Sequence, residues 1–480
     1  MAQGKFFITA AIPYVNAAPH LGHALEIIQA DVTARYAKLI GHEVCFLTGA
    51  DENSLKNVQS ADKEGITPQQ LCDQNSAKFR QLYRDLNISL NIFQRGTDQK
   101  KHWPGVYKLW QALEESGDIY KGKYAGYYCV GCEAFYQAGE LKNGKLCPEH
   151  ATPLEWIEEE NYFFRLSRYQ EALQHLIQSD EYKIIPSFRK NEILTFLNEG
   201  LQDFSISRSK KRARSWGIPV PGDPDQIIYV WIDALDIYMT GIGFGWDEAN
   251  FAKWWPADLH VIGKGIIRFH ALFWPALLMS AKLPLPRNLF VHGYITHGDQ
   301  KMSKSLGNVV DPFPLIHKYG IDPLRYFLLS QIPAYQDGDF TEEKMRSAYQ
   351  ADLANGLGNL VSRVATLCEK SNLDLLKTDI SLSETCPRYH ATLKSFNFNL
   401  SLGLLWEQIR EIDRFIDQKK PWELLQKGSP EIGKVLQAAV DEIRKIGLLL
   451  APFLPQTALK IQDQFKNPKI KVQPSLFPRL

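Results

Sequence analysis

Ile12-Pro13-Tyr14-Val15-Asn16-Ala17-Ala18-Pro19-His20-Leu21-Gly22-His23 joins two segments of different periodicity. Before it, the apolar run Phe6 to Ala11 reads as a strand. After it, apolar residues at helical spacing run from Leu21 to Ile40, where Gly41 stops them. His20 and His23 therefore fall where a strand's end meets the first turn of a helix. Such a junction carries free backbone N–H groups and the positive end of the helix dipole, so it suits a phosphate. Gly22 has no side chain to keep a ligand from the backbone, and two imidazoles three residues apart share one face. Taken alone, the pattern favours two capping histidines and a turn. Glu43 to Leu47 reads as a second strand, and strand–helix–strand implies a parallel sheet.

Thr48-Gly49-Ala50-Asp51-Glu52-Asn53 follows at the carboxyl end of that second strand, where open α/β sheets bind ligands. Asp51 either caps the next helix or offers its carboxylate to a substrate ammonium. Far downstream, Gln300-Lys301-Met302-Ser303-Lys304-Ser305-Leu306-Gly307-Asn308 sets two lysines and two serines between Gly298 and Gly307. Such a loop can move, and its ammonium groups can close over a polyphosphate.

At 480 residues the chain is long enough for about three domains and a large core. Lys+Arg total 55 against Asp+Glu 54, so an RNA partner would need a local basic patch. The start, Met1 to Lys5, runs straight into a strand, so no signal peptide is expected, and no apolar run is long enough to span a bilayer. Seven cysteines in this length do not make a disulfide framework and fit a reducing cytoplasm. Cys45, Cys72, Cys368 and Cys386 are scattered, while Cys129 and Cys132 are followed, after fourteen intervening residues, by Cys147 and His150. Two ligand pairs, each separated by two residues, let four donor atoms converge tetrahedrally. The expected metal is one structural Zn2+ that folds the surrounding segment.

Glu158 to Leu166 is expected to enter a helical stretch, and Asn191 to Leu201 to be a helix closed near Gly200. The basic run Ser207 to Arg214 reads equally well as a solvated loop or as a patch at the rim of an active site. Ile227 to Ala234 returns to a buried strand pattern. Leu259–Lys264 is a further strand end, Ile266–Ala281 a helix and Asn288–His292 the last strand expected before the lysine loop. Beyond Asp311, Glu342–Lys370, Tyr389–Asp417 and Pro430–Leu449 have the apolar spacing of a helical bundle. Asn355, Asn359 and Arg363 fall at i, i+4 and i+8 on one face. Trp422, just after Lys419-Lys420-Pro421, is either a core residue or a platform for an unpaired base.

His20-Leu21-Gly22-His23 and Lys301-Met302-Ser303-Lys304-Ser305 together resemble the HIGH and KMSKS signatures of class I aminoacyl-tRNA synthetases. Val230-Trp231-Ile232-Asp233-Ala234, Ile262-Gly263-Lys264, Arg268 to Pro275 and Trp216 to Pro221 narrow the resemblance to the methionyl-tRNA synthetase family over nearly the whole length. The resemblance implies an α/β fold: a Rossmann-like parallel-sheet catalytic domain split by a zinc-knuckle insertion, then an all-α anticodon-binding bundle. The implied bounds are 1–115 and 226–295 for the catalytic halves and 116–225 for the insertion, with its knuckle at about 124–152. A linker region with the lysine loop covers 296–345, and the bundle 346–480.

The implied activity is ATP-dependent activation of methionine, with Mg2+, and transfer to the terminal ribose of initiator and elongator methionine tRNAs. His20, His23, Lys301 and Lys304 would be catalytic, and these four with Pro13, Gly22, Gly263, Lys264 and His292 would bind ATP. Methionine would meet Ala11, Ile12, Tyr14, Asp51, Trp231, Ala234, Leu235, Tyr238, Ile266, His270 and Trp274. The anticodon would meet Asn355, Asn359, Arg363 and Trp422. Three positions depart from the family pattern. Asn53 stands where His is frequent. Gly265 stands where Asp is common, so a ribose hydrogen bond is missing or supplied elsewhere. Leu235 stands where some members carry Pro. The chain is expected to act as a monomer, away from membranes. Leucine and valine enzymes would need a larger insertion for editing, and a cysteine enzyme would hold zinc at its substrate. A catalytically dead RNA-binding relative would not be expected to keep all four phosphate-side residues.

Overall fold

The computed structural model describes residues 4–129, 134–136, 141, 146–147, 152–298, 300–302, 308–378, 380, 382 and 386–479. A six-stranded sheet lies at its centre, in the order Ile92–Arg95, Glu43–Ala50, Lys5–Ala10, Leu259–Gly263, Asn288–His292, Lys183–Ile185. Every neighbouring pair is parallel. Side chains alternate between its two faces. Ile8, Phe46, Val261 and Phe290 enter one core together with helix Leu21–Leu39 and the C-terminal helices. Phe7, Leu47, Ile262 and Val291 enter another, shared with helices Trp103–Glu115 and Val230–Thr240. Both faces being covered, the strands read as unbroken apolar runs. The chain leaves Lys5–Ala10 in one direction and later returns on its other side at Leu259–Gly263. That reversal opens a crevice at the carboxyl ends of these two strands, the usual ligand position in such sheets.

Several segments differ from the sequence expectation. Val230 to Ala234 is not strand but the start of helix Val230–Thr240, all eleven residues of which are buried. A short apolar run with every face buried carries neither period clearly. Glu158 to Phe164 belongs to strand Glu155–Phe164, paired antiparallel with Ile119–Cys129; helical backbone begins at Leu166. Cross-strand partners outweigh the helix preference of the glutamates there. Lys183–Ile185 lies between 116 and 225 yet forms the outer strand of the central sheet. The chain therefore leaves the sheet, returns for one strand and leaves again. The basic run, read equally as a solvated loop or a patch at the rim, divides: Ser207–Ser209 is strand, while Lys210, Lys211 and Arg214 are exposed in the turn that follows. Arg208 is buried with its guanidinium 4.2 Å from the Tyr229 ring, Arg212 reaches Glu155 and Arg214 reaches Asp62.

The helix expected over 342–370 changes pitch, being α over Glu342–Ala348, π over Tyr349–Gly358 and α again over Asn359–Ser371. Phe398–Lys419, Glu431–Leu449 and Pro455–Phe465 complete the bundle, whose apolar faces share a core with Leu21–Leu39. One fully buried cation ties these parts together. Arg325 donates to Phe453 O (2.8 Å), Pro452 O (3.0 Å) and Leu86 O (3.3 Å), and pairs with Asp31 at 2.7 Å. Asp31 also accepts from Ser89 N–H, Ser89 Oγ and Arg35 Nε. Removing one member of a buried pair leaves the other charge stranded. Arg325→Met is therefore expected to destabilise the chain by about 3–5 kcal/mol, read as a lower urea midpoint; a change within error would refute this role.

Candidate active site

His20 has extended backbone (φ −132°, ψ 176°) and caps helix Leu21–Leu39. Its Nδ1 accepts from Gly22 N–H at 3.1 Å, and His23 Nδ1 accepts from His20 N–H at 3.1 Å. The two ring centroids are 3.9 Å apart. Leu21 N–H donates to Val310 O (3.0 Å) and His23 N–H to His20 O (2.9 Å). The amides expected to be free at this junction are therefore paired, which corrects that part of the sequence reading. What remains for an anion is the helix dipole and the imidazoles, since acceptance at Nδ1 leaves the proton of a neutral ring on Nε2. Capping and donation are thus compatible in the same ring. Gly22 leaves the His20 ring its place: a Cβ there would stand 2.9 Å from His20 Cε1, and the ring would have to shift.

The Val310 contact fixes the exit of the lysine segment on the histidine cap. Its entrance, strand Gln300–Lys301, pairs with Ile295–His297, close behind the central strand Asn288–His292. Lys304 lies outside the described residues, between these anchors, and Lys301 is placed by its backbone, opposite Thr296. His292 Nε2 meets Glu26 Oε2 at 3.1 Å, which links the same strand to helix Leu21–Leu39. Pro13 O accepts from Asp51 N–H at 2.9 Å. Gly263 ends its strand in the crevice, and Lys264 Nζ bonds Asp337 Oδ2 at 2.7 Å.

Beside the phosphate side lies an aromatic pocket. Trp231 begins the buried helix, with Ala234 and Leu235 one turn on and Tyr238 beyond. Tyr14 meets Trp231 edge to face at 6.3 Å, and Tyr238 meets Trp274 at 6.4 Å. Tyr14 also bridges to Asp51, which is buried and is not a helix cap; Ser54 caps the following helix. Ala11 and Ile12 continue the first strand, the Ala11 carbonyl accepting from Thr48 Oγ1 at 2.9 Å. His270 Nδ1 lies 3.0 Å from Ile266 O and its Nε2 2.9 Å from Tyr238 Oη. A carbonyl only accepts, so Nδ1 carries the proton and Nε2 accepts from the phenol. Burial lowers the His270 pKa to about 4, and burial followed by the neighbouring His270 pushes His260 well below the usual range. The pocket wall is therefore neutral at pH 7. The indole N–H groups of Trp231 and Trp274 are buried without a partner among the described residues, an arrangement that calls for explanation in a native fold.

Four neighbours escaped the sequence reading. Phe269 stacks on Trp231 with centroids 3.7 Å apart and planes 5° from parallel. Tyr182 donates to His270 O at 3.0 Å. Glu52 is buried and takes Arg95 Nε, Thr97 N–H and Ser76 Oγ. His102 bonds Asp233, whose other oxygen accepts from Asn53 Nδ2 at 2.8 Å. Asn53, flagged as a departure, thus holds the helix that carries Trp231. Phe269 and Asp233 lie inside quoted motifs and were within reach; His102 and Tyr182 come from distant segments with no local signal.

The family model described as tRNA synthetases class I (M) matches residues 6–152 and 136–365. A methionine–tRNA ligase of Brucella suis is 42% identical over 489 aligned positions, covering 98% of this chain and 94% of that protein. That of Thermotoga maritima is 41% identical, covering 98% and 76%. The chain belongs to the methionine–tRNA ligase family. A Mycobacterium tuberculosis methionyl-tRNA synthetase in complex with methionyl-adenylate superposes with TM-score 0.93 at 36% identity, covering 99% of this chain and 100% of that one. The free-state form of the M. tuberculosis protein gives 0.85 at 34%, covering 100% and 99%.

Two further sets of residues were expected from this family. Asn355 and Asn359 are exposed; Arg363 is half-buried, paired with Asp417 (2.7 Å) and Asp413 (3.4 Å), with its guanidinium 5.8 Å from the Trp422 ring. Trp422 is 39% exposed, so it is not a core residue. Of the cysteine–histidine set, Cys129 and Cys147 are buried and not in a disulfide, while Cys132 and His150 lie outside the described residues. No helix among the described residues is long and apolar enough to cross a membrane.

The neutral histidine has a measurable consequence. An unfolded chain protonates His270 near pH 6.5, the folded chain only near pH 4. Between those values the unfolded state binds the extra proton, so stability is complete above about pH 6.5 and falls as pH drops. His270→Gln cannot titrate and is expected to flatten that fall, seen as a smaller drop in Tm from pH 6.5 to 4; the wild-type slope in the variant would refute it.

Proposed function

We propose that this chain activates methionine with ATP and then aminoacylates initiator and elongator methionine tRNAs, acting as a cytoplasmic monomer. What most supports the reading is the Leu21–Val310 hydrogen bond. It seats the exit of the lysine segment on the histidine cap, beside the aromatic pocket. In the first step a methionine carboxylate oxygen attacks the α-phosphorus of ATP. The bond to the β-phosphate bridging oxygen breaks and pyrophosphate leaves. In the second, a hydroxyl of the tRNA's terminal ribose attacks the adenylate carbonyl and AMP leaves.

His20 and His23 would donate to phosphate oxygens as charge develops there, and Lys301 and Lys304 would close from the other side. Donors fixed in advance on such oxygens lower the barrier more than they aid ground-state binding. Pro13, Gly22, Gly263, Lys264 and His292 would border the nucleotide. Mg2+ arrives with ATP and supplies phosphate charge neutralisation. Methionine would lie between Tyr14, Trp231, Tyr238 and Trp274, its ammonium on Asp51 and its thioether against rings, where sulfur contacts add modestly. Ala11, Ile12, Ala234, Leu235, Ile266 and His270 would close the pocket. One methylene is worth only about 1–3 kcal/mol, so homocysteine is a natural competitor.

Lys304→Ala is expected to slow methionine-dependent pyrophosphate exchange by about 100-fold or more while leaving methionine affinity nearly unchanged; equal losses in both would refute a transition-state role. Asn355, Asn359, Arg363 and Trp422 would read anticodon bases. The exposed carboxylate pairs of Arg363 are each worth at most about 1 kcal/mol, so an RNA base can displace them. Zinc fits the two buried thiols, Cys129 and Cys147, with Cys132 and His150 completing the set. It would hold the segment together rather than enter the reaction. Elemental analysis is expected to give one zinc per chain, lost in Cys147→Ser; no zinc in the wild type would refute the site.

A further inference from the structure

Gly265 sits exposed in the crevice, two residues after the end of the central strand Leu259–Gly263. A Cβ on it would lie 2.0 Å from the Tyr294 hydroxyl. That hydroxyl therefore occupies the space in which any side chain at 265 would begin. Tyr294 follows the adjacent central strand, Asn288–His292, and is held at two places. Its N–H donates to Asp337 Oδ1 at 2.8 Å, and the Lys264 ammonium lies 4.9 Å from its ring centroid. Lys264 in turn bonds the other oxygen of Asp337.

We infer that the Tyr294 hydroxyl recognises a ribose hydroxyl of the bound nucleotide, in the place that Gly265 leaves open. The inference rests on the ATP reading given above. Three physical points carry it. Tyr294 stands at the carboxyl ends of two neighbouring central strands, where a nucleotide laid across the crevice must pass. A Cβ at Gly263 would make only ordinary contact with Tyr294 Cε1, at 3.5 Å, so it is Gly265 that leaves room for the hydroxyl. Charge separates sugar from phosphate. The Lys264 ammonium is matched by the Asp337 carboxylate, which makes this corner neutral. The histidine pair instead opens helix Leu21–Leu39 at the end of the first strand, away in the chain from the Lys264–Asp337 pair. A neutral corner suits a neutral hydroxyl, and a phenol both donates and accepts. Asp337 holds the Tyr294 backbone and Lys264 lies over its ring, so little freedom is lost when ligand binds.

The test is methionine-dependent pyrophosphate exchange with ATP, 2′-deoxy-ATP and 3′-deoxy-ATP. The wild type is expected to prefer ATP over at least one deoxy analogue by about tenfold, the usual worth of one hydrogen bond. Tyr294→Phe should raise the KM for ATP by a similar factor, lose that preference and leave the KM for methionine unchanged. Adding Gly265→Asp to Tyr294→Phe, where the clashing hydroxyl is gone, should restore part of the preference. An unchanged ratio of ATP to deoxy-ATP in Tyr294→Phe would overturn the inference alone. So would an equal loss with every nucleotide accompanied by weaker methionine binding, since that is a structural role. Absence of exchange in the wild type would overturn the ATP reading and this inference together.

Discussion

A guanidinium with no access to water organises this chain. Arg325 reaches Asp31 on the helix that begins at His20, the Leu86 carbonyl before the third strand, and two carbonyls of the turn between the last two bundle helices. A buried ion pair of this kind adds little net stability over an apolar replacement, because desolvation offsets the attraction. What it does impose is geometry. Each donor has one acceptor, and any shift of the bundle against the sheet would strand a charge. The helix that presents the histidine pair is thereby held from its middle by the C-terminal half of the chain. Its first turn is held by Val310, so the phosphate-side residues do not depend on local capping alone.

The first strands were legible as short unbroken apolar runs, and the first helix as a long apolar-rich segment that Gly41 stops. Strand Asn288–His292 was readable to the residue, whereas the short strands after it, Ile295–His297 and Gln300–Lys301, were not. Legibility failed where burial erased the period. Val230–Thr240 is buried on every face, and the carboxylates that mark it as unusual, Asp233 and Asp236, are buried with it. Asp233 is matched by His102 and Asn53, both more than one hundred residues away, which no local pattern announces. Lys183–Ile185 failed for another reason. Three residues are too few to carry a strand signal, and only the neighbouring strand defines them. At the site, residue types in short motifs were readable, whereas the partners that orient them were not.

The histidine pair shows why a choice between structural and functional reading can be false. Each ring uses Nδ1 to satisfy a backbone amide of the helix start. That use selects the tautomer whose proton is on Nε2, and so makes the remaining edge a donor. A lysine could not do this, having no acceptor atom. The capping role therefore sets the tautomer that leaves an N–H available to a phosphate oxygen. The same economy recurs in the pocket, where the carbonyl of Ile266 fixes the His270 proton and Tyr238 takes the other nitrogen.

The crevice thus divides by electrostatics rather than by shape. At the start of helix Leu21–Leu39, dipole and imidazole donors converge with an arriving lysine segment, which suits accumulating negative charge. In the aromatic pocket burial keeps both imidazoles neutral, and Phe269 against Trp231 adds about 0.5–1.5 kcal/mol of ring contact beyond area. A side chain entering that pocket must compete with this stack, so an apolar ligand that satisfies the buried indole N–H groups poorly would gain little. A thioether is soft enough to lie along the rings and carries a weak acceptor sulfur. Between the two regions Asp51 is buried beside Tyr14, at the point where an amino acid's charged end would have to lie. A charged end, a thioether and a triphosphate would therefore each meet a surface that disfavours the other two, and such a mismatch would orient the substrates before any bond changes.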